Sequence, residues 1–256
     1  MAPARRILAD WGIGRFWRVQ LLFFDRSPAA AWTSRAGARL LAIFIVLELI
    51  ARRLFVAAAR SSGFTESRGW ALAEMSLFVL VACGLVAGIA RVPLSQLGLQ
   101  SWRRWSGSEK LYLLQTVPLG VLIFSIANWG RLKILWGRPD LGSIALFVFV
   151  PQILWGFYQE FMYRGLLQNE LVRRWGAWPG IIISNLIFTF GPLHAYHFHE
   201  ASQNPSHLWI FAAIFAIGLY FGFVLRRSGN LWLPAILHGM GDCFIDGLPR
   251  VPKMPG

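Results

Sequence analysis

Residues 158–165 read YQEFMYRG and place an amide, a carboxylate and a guanidinium inside a long apolar segment. Ionisable side chains at membrane depth are costly, so they are functional candidates by default. Glu160 and Arg164 are four residues apart and share one helical face, and we expect them to form an internal ion pair because an unpaired buried charge is very unfavourable. Gln159 points about 100° away on the same helix, so one side chain can face a cavity while its neighbour is held by Arg164.

The composition around this stretch is that of a membrane protein. Of the 256 residues, 56% are hydrophobic and 14% are charged, with 25 Lys and Arg against 12 Asp and Glu. In a soluble protein this positive charge would suggest a nucleic-acid partner. Here the basic residues fall mostly between apolar runs, which indicates contact with anionic lipid headgroups, and no nucleic-acid partner is expected.

Seven apolar segments come close to the length of about 20 residues that a spanning helix needs. They are residues 38–58, 70–90, 111–129, 142–170, 179–198, 208–225 and 231–247. We therefore predict an all-α polytopic membrane protein, a bundle of about seven (six to eight) transmembrane helices that forms a single domain over residues 1–256.

The segments outside these spans are basic. Residues 1–36 form a basic N-terminal segment, in which residues 11–24 mix arginines with Trp, Leu and Phe and predict an interfacial helix; a disordered basic tail is the alternative. The polar loop 91–110 predicts a short surface helix. Segments assigned to the inner face hold 15 Lys and Arg against 9 outside, which favours a cytoplasmic N-terminus. The high Arg, Ala, Gly and Trp content suggests a GC-rich bacterial genome, and we therefore expect the protein in a bacterial inner membrane.

Two further polar clusters lie on separate apolar segments, FGPLH at residues 190–194 and HGMGD at residues 238–242. The Gly-Pro pair before His194 breaks or kinks the helix, and irregular backbone at membrane depth is tolerated where it lines a cavity. His238 and Asp242 are one helical turn apart, so the carboxylate can orient the imidazole or hydrogen-bond a reacting group. For each cluster alone, a packing role is the alternative.

The histidines do not predict a cofactor. The spacing His194-x-x-His197-x-His199 runs into a loop and lacks a recognised zinc arrangement, so no metal site is predicted and a zinc-dependent reaction is kept as an alternative. Cys83 and Cys243 both lie in apolar segments and are interpreted as small packing residues.

The order E-x-x-x-R-G, F-x-x-x-H and H-x-x-x-D over residues 140–245 resembles the CAAX-protease and bacteriocin-processing (CPBP, or Abi) family of intramembrane endopeptidases. That family has the pattern E-E-x-x-x-R, F-x-x-x-H and H-x-x-x-N/D. The resemblance implies glutamate-type peptidase chemistry, in which the first Glu and the two His activate a water and the last motif residue helps to stabilise the oxyanion. It also implies a membrane-anchored or lipidated protein or peptide as substrate, which is cut near its C-terminus. Within the family, the bacterial myxosortase-like members are one subgroup that the chain resembles.

Carried over residue by residue, the resemblance implies a set of catalytic positions and two positions at the substrate cavity. The catalytic positions are Gln159, Glu160, Arg164, His194, His238 and Asp242, and the cavity positions are Phe190 and Tyr163.

One of these positions departs from the family pattern, because Gln159 stands where the family has its water-activating Glu. An amide has nearly the shape of a carboxylate but is a very poor base. Three interpretations follow: a silenced form of a working protease, a catalytically dead protein that binds a membrane partner as a scaffold, or a protease that uses Glu160 as its base. A proton-coupled transporter is less favoured, because no matched halves are visible.

Overall fold

The computed structural model of this chain describes residues 32–63, 65, 67 and 69–249. The predicted interfacial helix at residues 11–24 and most of the basic segment 1–36 lie outside these described residues. Within the described part the regular structure is entirely helical, with no β-strand, which confirms the predicted all-α class.

The described residues contain nine helices, which are numbered in chain order. They are α1 (34–61), α2 (Trp70–Ala90), α3 (Gly107–Ala127), α4 (Trp129–Trp136), α5 (Leu141–Trp175), α6 (Ala177–Phe190), α7 (Ala195–Gln203), α8 (Leu208–Ser228) and α9 (Trp232–Ile245). A 3-10 turn, Pro205–His207, precedes α8.

Each of the seven predicted spans contains a helix of the structure. Among the described residues, α2, α3, α5 and the helix Pro205–Ser228 are long and apolar enough to cross a membrane. The other three differ in length or charge: α6 and α9 have 14 residues each, and α1 carries Glu48 and Arg52 near its middle. Four spanning helices establish a polytopic integral membrane protein.

Two connecting segments refine the sequence-based picture. The loop 91–110 contains two short 3-10 turns, Leu94–Leu97 and Trp102–Arg104, where a surface helix was predicted, and α3 begins only at Gly107. The predicted helix break before His194 is confirmed, because α6 ends at Phe190 and α7 starts at Ala195. The segment 179–198 is therefore two helices joined by a tight turn.

Helix α5 is the centre of the bundle, and its middle is wider than an ordinary α-helix. Residues Phe161–Gln168 adopt a π-helical conformation that begins directly after Glu160. All eight residues of this stretch are buried, and α1 and α2 contribute many of the other large buried side chains of the main apolar core. Wide helical turns of this kind are frequent at functional sites.

Helices α5 and α9 pack with their backbones in close contact. A Cβ atom added to Gly156 would lie 2.4 Å from the backbone N of Gly239, and one added to Gly239 would lie 2.8 Å from the Cα of Ile153. Small residues permit this approach between membrane helices. Gly156 precedes Glu160 by one turn, and Gly239 follows His238, so this contact places the first and third polar clusters within reach of each other.

Candidate active site

Side chains from three helical segments converge beside the α5–α9 contact. Helix α5 contributes Glu160 and Arg164, the turn between α6 and α7 contributes His194, and α9 contributes His238 and Asp242. The contacts below connect these residues directly or through the ring of Phe188.

Glu160 forms the central contacts of the cluster. Its carboxylate is fully buried, and Oε1 lies 3.3 Å from Arg164 Nη1 and accepts a hydrogen bond from His238 Nδ1 at 2.7 Å. The predicted internal ion pair between Glu160 and Arg164 is therefore confirmed. Among the described residues no hydrogen-bond donor reaches Oε2 of Glu160, so half of this carboxylate remains open to a further polar group.

Arg164 joins α5 to α8 as well as to Glu160. Its Nη2 donates to the backbone carbonyl of Gly218 at 3.2 Å, and the guanidinium lies 3.9 Å from the ring centroid of Phe188, a cation–π geometry. A Cβ on Gly218 would lie 2.7 Å from Arg164 Nη2 and 2.0 Å from Asn185 Oδ1. Only a glycine at this position lets both polar side chains reach the α8 backbone.

The two histidines present different ring nitrogens to the cluster. His194 Nδ1 lies 2.8 Å from the carbonyl oxygen of Phe188. Because a carbonyl only accepts hydrogen bonds, Nδ1 carries the proton and Nε2 of a neutral ring is an acceptor. His238 uses Nδ1 for Glu160, and its Nε2 lies 3.7 Å from Asp242 Oδ1, close enough for an electrostatic contact.

Phe188 connects these groups. Its ring centroid lies 4.8 Å from that of His194, 6.1 Å from that of His238 and 5.1 Å from that of Tyr163, all in edge-to-face geometry. Together with the Arg164 contact, this ring forms a buried apolar wall between the two histidines. A wall of this kind limits the water that reaches the polar groups.

The two residues assigned to the substrate cavity have different neighbours. Phe190 is 48% exposed and stacks on Phe211, with ring centroids 5.5 Å apart. Tyr163 is buried, and its hydroxyl donates to Glu48 Oε2 at 3.2 Å, so its polar end faces α1. Their assignment to a substrate cavity stays a prediction.

Gln159 is 3% exposed, and none of the described residues donates a hydrogen bond to its side-chain oxygen. The neighbouring Glu160 is instead held by two partners. The two positions of the family's paired-Glu motif thus differ: the second is anchored, and the first is buried with an unsatisfied oxygen.

Sequence reasoning missed Phe188, Asn185, Gly218 and the close pair Gly156 and Gly239. Asn185 is buried in α6 and donates from Nδ2 to the Phe215 carbonyl at 2.9 Å. A polar residue in an otherwise apolar helix was the available signal for it. No sequence signal distinguishes Phe188 from Phe190, because the choice depends on which way the turn after α6 directs His194.

The remaining histidines form no metal site in the described part of the chain. No group of three or more His, Cys, Asp or Glu side chains there is placed to hold an ion. His197 instead lies with Nδ1 2.8 Å from Glu200 Oε2. The expectation that no cofactor is used stays a prediction.

The fold and this cluster define a class of protein: an all-α integral membrane protein with a buried glutamate, arginine and histidine site. Residues 141–244 match the family described as type II CAAX prenyl endopeptidase Rce1-like. This stretch contains all three motif clusters, and in it the chain is similar to that family.

A second comparison found a relative that matches part of the chain. The chain is 32% identical over 104 residues to a protein of Escherichia coli described as an uncharacterized 24.3 kDa protein. The alignment covers 39% of this chain and 41% of that relative. No solved structure matches the chain.

Proposed function

We propose that this chain has the active-site framework of an intramembrane endopeptidase that cleaves a membrane-anchored or lipidated protein near its C-terminus. The observation that carries the proposal is the direct contact between Glu160 Oε1 and His238 Nδ1, 78 residues apart in sequence, inside a bundle of apolar helices. Buried, mutually oriented acid–base groups in such a setting are typical of a site that handles protons. The family match supports the peptidase class.

The proposed reaction is hydrolysis by an activated water, without a covalent intermediate. A base removes a proton from the water, the resulting hydroxide attacks the scissile carbonyl, and the proton is passed to the leaving amine. The acceptor Nε2 of His194 and the imidazole of His238 are the groups that hold this water. Asp242 and nearby backbone N–H groups support the tetrahedral oxyanion, with Asp242 acting through His238 or, if protonated, as a donor.

Glu160 and Arg164 position the other groups in this scheme. The carboxylate accepts the Nδ1 proton of His238 and so keeps Nε2 of that ring as the reactive nitrogen, the same logic by which a carboxylate orients a catalytic histidine elsewhere. Arg164 offsets the buried negative charge of Glu160 at 3.3 Å. We therefore propose that the first base acts at position 159, which the resemblance to the family motif supports.

We infer that the chain as given is a silenced form of the enzyme, because Gln159 cannot accept the proton. The amide keeps the size of the carboxylate, so the pocket stays intact while the chemistry is lost. A second candidate, a membrane scaffold that binds its partner without cleaving it, is favoured by the same residue. Glu160 acting as the base is the remaining alternative within the peptidase class.

The test is a cleavage assay in detergent with this chain beside its Gln159→Glu variant, on C-terminally anchored peptides and prenylated CAAX peptides. We expect cleavage only with Gln159→Glu, at a rate about 10²- to 10⁴-fold above that of the chain as given, the usual contribution of a positioned base. Equal cleavage by both proteins would assign the base to Glu160 or to a metal. Capture of the peptides by both proteins without cleavage would support the scaffold.

Three further assignments belong to the same proposal. The reaction is metal-free, and stoichiometric zinc that is lost on His194→Ala would contradict this.

We place the protein in a bacterial inner membrane with its N-terminus in the cytoplasm, and the excess of Lys and Arg in the segments assigned to the inner face supports this orientation. Anionic lipid headgroups are its bilayer partners. Protease protection of an N-terminal tag in inverted vesicles tests the orientation.

A further inference from the structure

A cavity of about 290 Å³ lies between the start of α1 and the end of α2, apart from the candidate active site. Three arginines line it: Arg35 and Arg39 from the first turns of α1, and Arg91 directly after the last residue of α2. No acidic side chain is among the described residues that form its wall.

The charges around this cavity favour an anion. Three like charges that line one cavity repel each other, although salt screens part of this repulsion at the exposed Arg35 and Arg91. The N-terminus of α1 adds the positive end of its helix dipole, since Thr33 is the N-cap residue and also lines the cavity. A bound anion would neutralise all of these groups together.

One of the arginines is held in place by the protein. Arg39 Nη1 donates to the carbonyl of Ile89 at 3.0 Å, which fixes the guanidinium against the end of α2. A guanidinium has five N–H donors, so this single bond leaves others for a ligand. Arg35 and Arg91 are exposed and extend the positive surface to the mouth of the cavity.

The backbone conformation of Arg91 is unusual. Its φ angle is 55°, and among the described residues it is the one non-glycine with a positive φ. Glycine or asparagine occupies such a left-handed helix end at lower conformational cost. The arginine side chain at this position is accounted for by its charge at the cavity.

The level of the cavity relative to the membrane indicates which ligands it can meet. Helix α2 is one of the membrane-spanning candidates and ends at Ala90, so Arg91 lies where a span leaves the hydrocarbon core. Lipid phosphates occupy that level, and the planar fork of arginine matches the oxygen geometry of a phosphate. We propose that this cavity binds a phosphate group, of the kind that an anionic phospholipid headgroup presents.

The ligand would lie beside a contact between α1 and the active-site helix. Trp32 forms part of the cavity wall and donates its indole N–H to Glu170 of α5 at 2.7 Å. Binding at the cavity therefore stabilises the end of α1 that Glu170 holds. The proposal does not depend on peptidase activity, because every lining residue precedes the family-matched region at 141–244.

The experiment measures phospholipid retained by the full chain in detergent, by native mass spectrometry with added phosphatidylglycerol or phosphatidylcholine. The test variant carries Arg35→Ala and Arg91→Ala, which remove two arginines without described hydrogen bonds to the rest of the protein. The matched control carries Arg103→Ala and Arg104→Ala, two exposed arginines of the loop 91–110 that do not line the cavity. We expect retention of phosphatidylglycerol to fall about tenfold or more in the test variant and to stay unchanged in the control.

Equal loss in both variants, or no loss in either, would overturn the proposal, since the binding would then follow net charge or lie elsewhere. A second variant, Arg35→Lys with Arg91→Lys, keeps the charge and the fold; an intermediate retention is expected because lysine lacks the fork. Millimolar inorganic phosphate separates the sources. Displacement of the lipid by free phosphate would overturn the headgroup assignment, and resistance to it would support a lipid whose acyl chains add to binding.

Discussion

Glu160 and Glu170 are two fully buried carboxylates on the same helix, α5, and their surroundings differ sharply. Glu170 accepts four hydrogen bonds between 2.6 and 2.7 Å, two from Arg173 and one each from Arg174 and Trp32. Glu160 accepts one hydrogen bond, from His238, and has a looser contact with Arg164, while its Oε2 has no donor among the described residues.

The difference separates a carboxylate whose contacts are complete from one of the candidate site whose contacts are not. A buried carboxylate is stabilised when all its acceptor positions are filled, and Glu170 meets that condition. An incompletely satisfied buried group is costly and persists where the surrounding fold imposes it, which is common at functional sites. Burial and an ion pair alone would not distinguish the two residues, whereas the number of donors does.

The largest expected effect is on the cleavage rate and comes from removing the hydrogen-bond donor of Glu160. In the Gln159→Glu protein, we expect His238→Ala to lower the cleavage rate by about 10²- to 10⁴-fold, because the water loses an oriented proton acceptor. The unfolding free energy should fall by about 1.5–3 kcal/mol, because the lost hydrogen bond is made to a buried charged group. The matched control is His199→Ala, an exposed histidine of α7. A rate equal to that of the control would remove His238 from the site.

The next largest effect is on stability and comes from removing Glu170 itself. We expect Glu170→Ala to lower the unfolding free energy by about 3 kcal/mol, since it leaves Arg173 and Arg174 without their shared carboxylate and releases Trp32. Cleavage per folded molecule in the Gln159→Glu background should stay unchanged. Thermal or denaturant unfolding in detergent measures the first quantity. Trp32→Phe, which removes one donor of four, should cost about 1 kcal/mol. Loss of cleavage without loss of stability would assign Glu170 to the chemistry instead.

The smallest effect concerns Gly218, where an added methyl group would meet both Arg164 and Asn185. Gly218→Ala and Gly222→Ala each place a methyl group against a polar side chain of α5, at 2.7 Å from Arg164 Nη2 and 2.6 Å from Gln168 Oε1. Both should cost about 1–3 kcal/mol of stability through overpacking. Only Gly218→Ala should also lower the cleavage rate of the Gln159→Glu protein, because only Arg164 contacts Glu160. Equal rates in the two variants would mean that the Arg164 position is not critical.

Much of the fold was predictable from local patterns. The apolar segments predicted the helices, the Gly-Pro pair predicted the break before His194, and the four-residue spacing predicted the Glu160–Arg164 pair. Each of these depends on residues close together in the chain, where helical periodicity determines which side chains meet. The loop 91–110 was predicted less well, because a polar segment rich in Trp does not by itself distinguish 3-10 turns from a surface helix.

The sequence by itself determined the class of protein, the residue types of the site and the departure at Gln159. Which of these side chains contact each other depends on the packing of the helices and is seen only in the tertiary structure. The Glu160–His238 contact requires the close approach of α5 and α9 at Gly156 and Gly239, and the four donors of Glu170 include Trp32, 138 residues away. The physical reason is that helical periodicity acts over a few residues, whereas contacts between helices depend on how closely their backbones can pack.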